Sequence, residues 1–200
     1  MSEILCVTNR ALCREDFLTR LERIAAGGAA GIILREKDLP LQAYQALAEQ
    51  VLPVCQARGV TCILHSHPQA AEELRVRAIH LPLPILRTLS RRQRESFRVL
   101  GASCHSVEEA REAEDLGCTY LTAGHIFATD CKKGLPPRGL EFLRSVCRSV
   151  SIPVWAIGGI SPENIRSVVQ AGAQGGCVMS GLMQCRDPQA LLEDFRQQGI

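Results

Sequence analysis

Eight short apolar stretches alternate with longer amphipathic stretches along the chain, and this alternation limits the fold more than any other feature. The apolar stretches lack strict polar alternation, which is typical of parallel strands that are buried on both faces. In chain order they are ILCVTN, GIILRE, TCILH, AIHLP, VLGASCH, YLTAGH, PVWAIGG and GGCVMSG. Eight strand–helix units without a linker predict one domain, residues 1–200, of the α/β class, folded as a short (β/α)8 TIM barrel. A doubly wound open sheet is the alternative.

The amphipathic stretches carry signals for the starts and ends of helices. Ser106, followed three residues later by Glu109, predicts a capping box, and Pro162 after Ser161 suits the first turn of a helix. After the fourth strand, TLSRRQRESF predicts a helix whose arginines form a solvated face rather than a nucleic-acid patch. Glycines in AAGG, DLG and QAG end helices where a left-handed conformation is needed.

The composition is that of an ordinary globular protein, with 46% apolar and 22% charged residues. A formal net charge of +2 gives no strong attraction to nucleic acid or to a membrane. No apolar run reaches the ~18 residues that span a bilayer, and the first ten residues lack the cationic and apolar regions of a signal peptide. We therefore expect a cytoplasmic protein. The sequence leaves open whether it forms a homo-oligomer.

Ten cysteines are spread evenly along the chain, and none forms a C-x-x-C pair. The spacings that are typical of metal and redox sites are therefore absent. Several cysteines lie in apolar runs such as TCIL and GCVM, where a thiol packs as a small apolar side chain. We expect reduced core cysteines rather than disulfides.

The residues that follow each predicted strand are the candidates for chemistry, because barrel enzymes carry their active sites at the carboxyl ends of the strands. His65 and His67 follow strand three, His105 ends strand five, and His125 follows strand six. Histidines also cluster at strand ends without function, since they need a wet or paired environment. His65 and His67 could chelate a metal, but no Asp or Glu ends the other strands to complete the shell. A metal site is therefore the less favoured interpretation.

Small residues after strands seven and eight predict a phosphate site. Gly158 and Gly159 in AIGGI, and Met179 and Ser180 in VMSGL, can expose backbone N–H groups without obstruction by side chains. Barrels often bind phosphate with these two loops and a nearby helix N-terminus. Two tight turns that merely need glycine are the alternative.

Five motifs, taken in order, resemble the thiamin phosphate synthase superfamily from about residue 30 to residue 185. They are REKDL, GASCHSVEEAREAEDLG, GHIFATDCKKGL, IPVWAIGGISPENIRSVVQAGA and VMSGL. The resemblance implies a short (β/α)8 barrel, in agreement with the alternation of strands and helices.

The superfamily has two main branches, and the differences from its motifs are used to choose between them. Similar synthases hold magnesium pyrophosphate with an Asn-Asp pair after strand three and an aspartate after strand four. Here His65 and Ser66 stand at the first position, and Leu83 and Ile85 at the second. Magnesium needs oxygen ligands, and the aspartates that supply them in similar synthases are missing here. In addition, synthases usually carry proline where His125 stands. The resemblance therefore favours the thiazole tautomerase branch.

The tautomerase interpretation implies an isomerase of thiamin biosynthesis that converts a dihydrothiazole phosphate carboxylate into the aromatic thiazole. His125 would be the catalytic proton carrier, and His105 would share the work. The other implied contacts are phosphate binding by Gly158, Gly159, Met179 and Ser180, and substrate binding by Arg35, Lys37, Thr129 and Lys132. The only expected partner is the small phosphorylated substrate, and no metal or organic cofactor is needed. Thiamin phosphate synthase activity and a non-catalytic regulatory relative are the alternatives.

Overall fold

A computed structural model describes residues 3–129 and 134–199 of the chain. Eight parallel strands form a closed barrel in sequence order, and β1 pairs with both β2 and β8. The strands are β1 (Glu3–Val7), β2 (Gly31–Leu34), β3 (Cys62–His65), β4 (Ala78–Pro82), β5 (Val99–Cys104), β6 (Tyr120–Gly124), β7 (Val154–Ile157) and β8 (Gly175–Val178). The predicted (β/α)8 barrel is confirmed, and the open sheet is wrong.

Helices cover the outside of the barrel and connect each strand to the next. In the described part of the chain they are α1 (Phe17–Ala26), α2 (Leu41–Ala57), α3 (Pro68–Glu73), α4 (Leu83–Thr88), α5 (Arg91–Glu95), α6 (Val107–Asp115), α7 (Gly139–Ser149), α8 (Pro162–Gln170), α9 (Ser180–Gln184) and α10 (Pro188–Gln198). The short helix α9 directly after β8 was not predicted. It begins at Ser180, in one of the loops predicted to bind phosphate.

The region after β4 differs from the predicted single helix over TLSRRQRESF. Two short helices, α4 and α5, are separated by Leu89 and Ser90. Leu89 is extended, with a ψ of 134°, and its side chain is buried. Ser90 then caps α5, because its N–H donates to the Gln93 side chain at 2.9 Å and its hydroxyl oxygen accepts from the Gln93 N–H at 3.3 Å. The prediction of one helix is wrong because a serine cap within the arginine-rich run starts a new one.

The cap of α6 agrees with the prediction in one of its two hydrogen bonds. The Ser106 hydroxyl oxygen accepts from the Glu109 N–H at 3.1 Å. The Glu109 carboxylate, however, accepts from the backbone N–H of His105 at 2.6 Å, one residue before the cap. At α8, Pro162 lies in the first turn as predicted. Glu109 therefore ties the end of β5, which carries His105, to the start of α6.

Two apolar layers pack on either side of the sheet. The larger layer lies between the sheet and the helices. The smaller layer fills the barrel interior and consists of Leu5, Val7, Ile33, Ile63, Ala78, Tyr120 and Cys177. Tyr120 takes the room beside β5, since a Cβ atom on Gly101 would lie 2.2 Å from its Cζ atom. The interior is therefore a filled core, as it is in other barrels of this size.

The nine cysteines in the described part of the chain are free thiols. Burial raises the pKa of Cys104 to about 12, so this thiol stays protonated and packs as an apolar group. The tenth, Cys131, lies outside the described residues. No helix in the same part of the chain combines the length and the apolar character that crossing a membrane requires.

Candidate functional site

A pocket opens at the carboxyl ends of the strands, where barrel enzymes carry their active sites. Its volume is about 420 Å³. Ten residues were predicted to form the site. Nine of them line this pocket, namely Arg35, Lys37, His105, His125, Thr129, Gly158, Gly159, Met179 and Ser180. The tenth, Lys132, lies outside the described residues.

A larger groove of about 670 Å³ lies between α3 and α5, and Arg75, Arg92 and Phe97 belong to its wall. None of the nine residues lines this groove, which is bounded by helices and by the turns that lead into β4 and β5. Size alone therefore does not identify the site. The pocket at the strand ends is the better candidate because polar groups from several strands meet there.

One side of the pocket is cationic. Arg35 and Lys37 follow β2 and line it, and Arg35 Nη1 lies 3.9 Å from the sulfur of Met179 on the β8 loop. None of the described residues that line the pocket is Asp or Glu. Because the described lining carries these two cations and no carboxylate, it favours an anionic ligand.

The loops after β7 and β8 provide hydrogen-bond donors. Gly158 and Gly159 have positive φ angles of 97° and 67°. A Cβ atom on Gly159 would lie 2.5 Å from the Ala128 carbonyl oxygen, so both the turn and its packing require glycine. In the described part of the chain, no protein group accepts from the N–H groups of Gly159, Met179 and Ser180. Such N–H groups are well suited to bind phosphate oxygens.

The floor of the pocket contains a hydrogen-bonded chain that the sequence analysis missed. His80, which is 3% exposed, lies inside the barrel, with Nε2 2.8 Å from Ser103 Oγ and Nδ1 2.9 Å from the Tyr120 hydroxyl oxygen. Burial lowers the pKa of His80 to about 3, so its ring is neutral. Ser103 and Thr122 line the pocket above it, with their hydroxyl oxygens 3.2 Å apart.

The direction in which these hydrogen bonds donate follows from the buried Tyr120 hydroxyl. The Tyr120 hydroxyl has His80 Nδ1 as its one acceptor in the described part of the chain, and a buried O–H that donates to nothing is costly. Tyr120 therefore donates to Nδ1, and His80 donates from Nε2 to the Ser103 oxygen. The Ser103 proton is then available to a ligand in the pocket.

The sequence contained a weak signal for these hydrogen-bonded side chains. Gly101 and Ser103 alternate along β5, and His105 continues this spacing directly after the strand, so the sequence places them on one face. His105 was predicted to face the rim, and the same alternation directs Ser103 toward the barrel axis. His80, in contrast, stands in the apolar run AIHLP and reads as an ordinary core position.

The histidines predicted near the rim have different surroundings. His65 is buried and lines the pocket. Burial and the neighbouring His80, Arg35 and Lys37 lower its pKa to about 2. His67 does not line the pocket, because its ring packs 4.5 Å from that of Tyr44. The two imidazoles thus have separate partners, and no group of three or more metal-ligating side chains occurs within residues 3–129 and 134–199.

His105 and His125 stand at the mouth of the pocket. His105 is exposed, and its Nδ1 atom lies 3.4 Å from the Glu109 carboxylate. His125 is half-buried, and its Nε2 atom lies 3.4 Å from the Leu135 carbonyl oxygen. Both rings can therefore reach a ligand that enters between the β5 and β6 loops.

Comparison with known proteins assigns the chain to a family. The sequence model of the protein family described as Thiamine monophosphate synthase matches residues 4–182 of the chain. A thiamine-phosphate synthase of Roseiflexus sp. (strain RS-1) is 36% identical over 190 residues, which cover 94% of this chain and 80% of the relative. Thiamine-phosphate synthase 2 of Streptococcus pneumoniae serotype 4 is 33% identical over 184 residues, which cover 90% of this chain and 87% of the relative. The solved thiamine phosphate pyrophosphorylase of Pyrococcus furiosus has a TM-score of 0.84 at 29% identity, with 98% of this chain and 95% of that chain covered.

These relatives confirm the resemblance to the superfamily and contradict its tautomerase branch. They are named as synthases or as a pyrophosphorylase, so the isomerase interpretation is wrong. That interpretation depended on a few positions, chiefly Ser66, Ile85 and His125. Differences at single positions carry less weight than similarity over nine-tenths of the chain, and part of the distinguishing loop after β6 lies outside the described residues. The chain belongs to the thiamine monophosphate synthase family.

Proposed function

We propose that the protein is a thiamine-phosphate synthase, which joins a thiazole phosphate to a pyrimidine pyrophosphate and releases pyrophosphate. The observation that carries the proposal is a pocket that combines two cations after β2, backbone N–H groups after β7 and β8, and apolar side chains. Val7, Ile157 and Val178 are among the apolar residues that line it. Both substrates carry a phosphate or pyrophosphate on a flat heteroaromatic ring, and such a pocket suits them. The names of the relatives support the same activity.

The thiazole phosphate is assigned to the loops after β7 and β8. The N–H groups of Gly159, Met179 and Ser180 would donate to the phosphate oxygens, and Gly158 keeps the loop free of side-chain bulk. These contacts hold the substrate equally in the ground state and in the transition state. They therefore contribute to affinity rather than to turnover.

The pyrophosphate is assigned to the cationic side of the pocket, formed by the loop after β2. Arg35 and Lys37 would bind its oxygens, and the Ser103 hydroxyl would donate a further hydrogen bond from the floor. Lys132, three positions after Thr129 in the sequence, is a further candidate from the sequence alone. These donors act on the group whose negative charge grows during the reaction, so they contribute to turnover.

The proposed reaction moves two electron pairs, the lone pair of the thiazole nitrogen and the pair of the C–O bond, and transfers no proton to the protein. The thiazole nitrogen forms a bond to the exocyclic methylene carbon of the pyrimidine while the bond from that carbon to the pyrophosphate oxygen breaks. The pyrophosphate leaves with the electron pair, and the thiazole nitrogen becomes cationic. The tasks of the site are to align the two rings and to stabilise the leaving anion.

His105, His125 and Thr129 contact the substrates at the mouth of the pocket in this proposal. The role of His125 as a proton carrier was predicted for the isomerase reaction, and the synthase reaction does not require it. Here the two imidazoles and the hydroxyl offer hydrogen bonds to the ring nitrogens and the amino group of a pyrimidine. Their removal should therefore weaken pyrimidine binding.

Within residues 3–129 and 134–199, the groups at and beside the pocket do not fit a magnesium ion held by protein carboxylates. Ser66 and Ile85 stand where similar synthases have aspartates. The Ser66 hydroxyl oxygen lies 2.7 Å from His65 Nδ1, and Ile85 has no oxygen to offer. Glu36, which belongs to the loop after β2, is 3% exposed and already accepts hydrogen bonds from Thr8 and Arg10. No step of the proposed reaction is therefore routed through a protein-bound metal.

The proposal is tested by direct assay of both products. Purified protein would be incubated with thiazole phosphate and pyrimidine pyrophosphate, and thiamine phosphate and pyrophosphate would be quantified by chromatography. We expect the two products in equal amounts. Binding of thiazole phosphate without product formation would refute the synthase and leave a non-catalytic relative.

We expect thiamine phosphate formation to persist in excess EDTA. The cations and hydroxyl of the pocket, rather than metal-binding carboxylates, are proposed to hold the pyrophosphate. The rate should fall by no more than about threefold relative to buffer with MgCl₂, since Mg²⁺ would act only as a counter-ion of the substrate. Complete loss in EDTA with recovery on adding Mg²⁺ would show that the substrate brings an essential metal.

A bulky side chain at Ser180 is expected to impair phosphate binding selectively. Ser180 is exposed at the pocket and starts α9, so Ser180→Leu can fold while it covers the adjacent N–H groups. We expect the KM for thiazole phosphate to rise about 10- to 100-fold with little change in kcat. The unphosphorylated thiazole alcohol is the control, and its weaker binding should be unaffected. An equal loss for both ligands would contradict the phosphate assignment. Gly159 is a poor site for this test because its packing requires glycine.

A further inference from the structure

We propose that Glu36 is a positioning residue that holds the loop after β2 so that Arg35 and Lys37 face the pyrophosphate. This inference rests on the proposed synthase function and adds a role for a buried carboxylate that does not itself line the pocket. Arg35, Glu36, Lys37 and Asp38 alternate along the loop. The two cations line the pocket, whereas the two carboxylates meet Arg10 outside it.

The Glu36 carboxylate is fully engaged. Its side chain is 1% exposed. One oxygen accepts from the Thr8 hydroxyl at 2.6 Å and from the Arg10 backbone N–H at 3.0 Å. The other accepts from the same N–H at 3.1 Å and from Arg10 Nη1 at 3.1 Å. A buried charge with this many donors fixes the position of its own backbone.

Thr8 transmits this constraint to Arg35. Its hydroxyl donates to Glu36 and accepts from the backbone N–H of Arg35 at 2.9 Å. Its own backbone N–H donates to the Ile33 carbonyl on β2 at 2.9 Å. The Thr8 side chain is buried, so the three groups have no competing solvent. The loops after β1 and β2 are thereby joined directly behind the cationic side of the pocket.

The loop offers a matched control in Asp38. Arg10 donates to the Asp38 carboxylate at 2.8 Å from Nη1 and at 2.6 Å from Nη2. Asp38 is exposed, with 67% of its side chain accessible. Exposed ion pairs contribute little. Removing the charge of Asp38 therefore tests whether any carboxylate on Arg10 suffices or whether the buried one is required.

The chemistry of the contacts distinguishes a carboxylate from an amide at position 36. All the groups around Glu36 are donors, namely the Thr8 hydroxyl and the N–H and Nη1 groups of Arg10. In Glu36→Gln one acceptor becomes an NH₂ donor that faces another donor, whichever way the amide turns. The loop must then shift, and the two cations shift with it.

The experiment measures affinity for inorganic pyrophosphate by calorimetry, together with steady-state kinetics of synthesis. We expect Glu36→Gln and Thr8→Val to weaken pyrophosphate binding about 10- to 100-fold and to raise the KM for the pyrimidine pyrophosphate. The KM for thiazole phosphate, which is assigned to the N–H groups of the β7 and β8 loops, should rise by much less. Thr8→Ser retains the hydroxyl and should restore affinity, and Asp38→Asn should bind as the unmodified protein does.

Several outcomes would overturn the positioning role. Unchanged pyrophosphate affinity in Glu36→Gln and Thr8→Val would do so, as would an equal rise of both KM values, which indicates a general loss of folding. If Glu36→Gln fails to fold, the comparison of Thr8→Val with Thr8→Ser still tests whether the hydrogen bond to Glu36 is needed for pyrophosphate binding. Pyrophosphate binding that depends on Glu36 without any synthesis would refute the synthase function and support the positioning role of Glu36.

Discussion

Replacement of Arg35 by methionine is expected to lower kcat/KM for the pyrimidine pyrophosphate by about 10²–10³-fold. The guanidinium group is half-buried at the pocket and offers a planar pair of donors to a pyrophosphate. Methionine keeps most of the length of the side chain and removes both charge and donors. Because the leaving group gains charge during the reaction, kcat should fall together with the affinity. Initial rates over a matrix of both substrate concentrations measure the two effects separately.

Two further variants make the Arg35 result specific. Arg35→Lys keeps the charge but loses the forked donors, so it should recover only part of the activity. Arg166→Met removes an exposed arginine of α8 that does not line the pocket, and it should behave as the unmodified protein. Full activity of Arg35→Met would show that the pyrophosphate binds elsewhere. An equal loss in Arg166→Met would indicate an effect of net charge alone.

The barrel could be predicted because its signal repeats eight times and each unit agrees with the next. The position of the pocket followed from the same count, since the carboxyl ends of parallel strands meet on one face. Arg35, His105 and Ser180 could be predicted to lie at the pocket because each follows a strand within two residues. This reasoning needs only the order of residues along the chain, which the sequence gives without any knowledge of tertiary contacts.

Residues whose role depends on their partners could not be predicted. His80 lies in an apolar run, and only the closed barrel brings it to Ser103 and Tyr120, 23 and 40 residues away. Glu36 stands between two cations in the motif REKDL, but Thr8, whose hydroxyl donates to it, is 28 residues away in the sequence. The choice between family branches failed for a similar reason. It weighed single substitutions, and their consequences depend on surroundings that the sequence does not show.

Acidification is expected to destabilise the fold strongly between pH 6 and pH 5. Burial lowers the pKa of His80 to about 3 and that of His65 to about 2, whereas an unfolded histidine titrates near 6.5. The unfolded chain therefore binds more protons, and stability is lost as the pH falls through the unfolded value. Each histidine contributes a slope of up to about 1.4 kcal/mol per pH unit. Urea unfolding should show a loss of about 2 kcal/mol in this interval.

The His80→Asn variant tests whether this acid sensitivity comes from the barrel interior. It removes one of the two rings whose pKa is lowered most, so the loss between pH 6 and pH 5 should fall to about half, although the variant is less stable at pH 7. Ile79→Val, at the neighbouring buried position on β4, costs about 1 kcal/mol without removing a histidine. It should therefore keep the full pH slope. Any folded pKa below about 4 gives the same expectation, because the unfolded state alone titrates in this interval. An unchanged slope in His80→Asn would mean that His80 is solvated or paired with an anion in solution, and the neutral chain through Ser103 to the pocket would have to be abandoned.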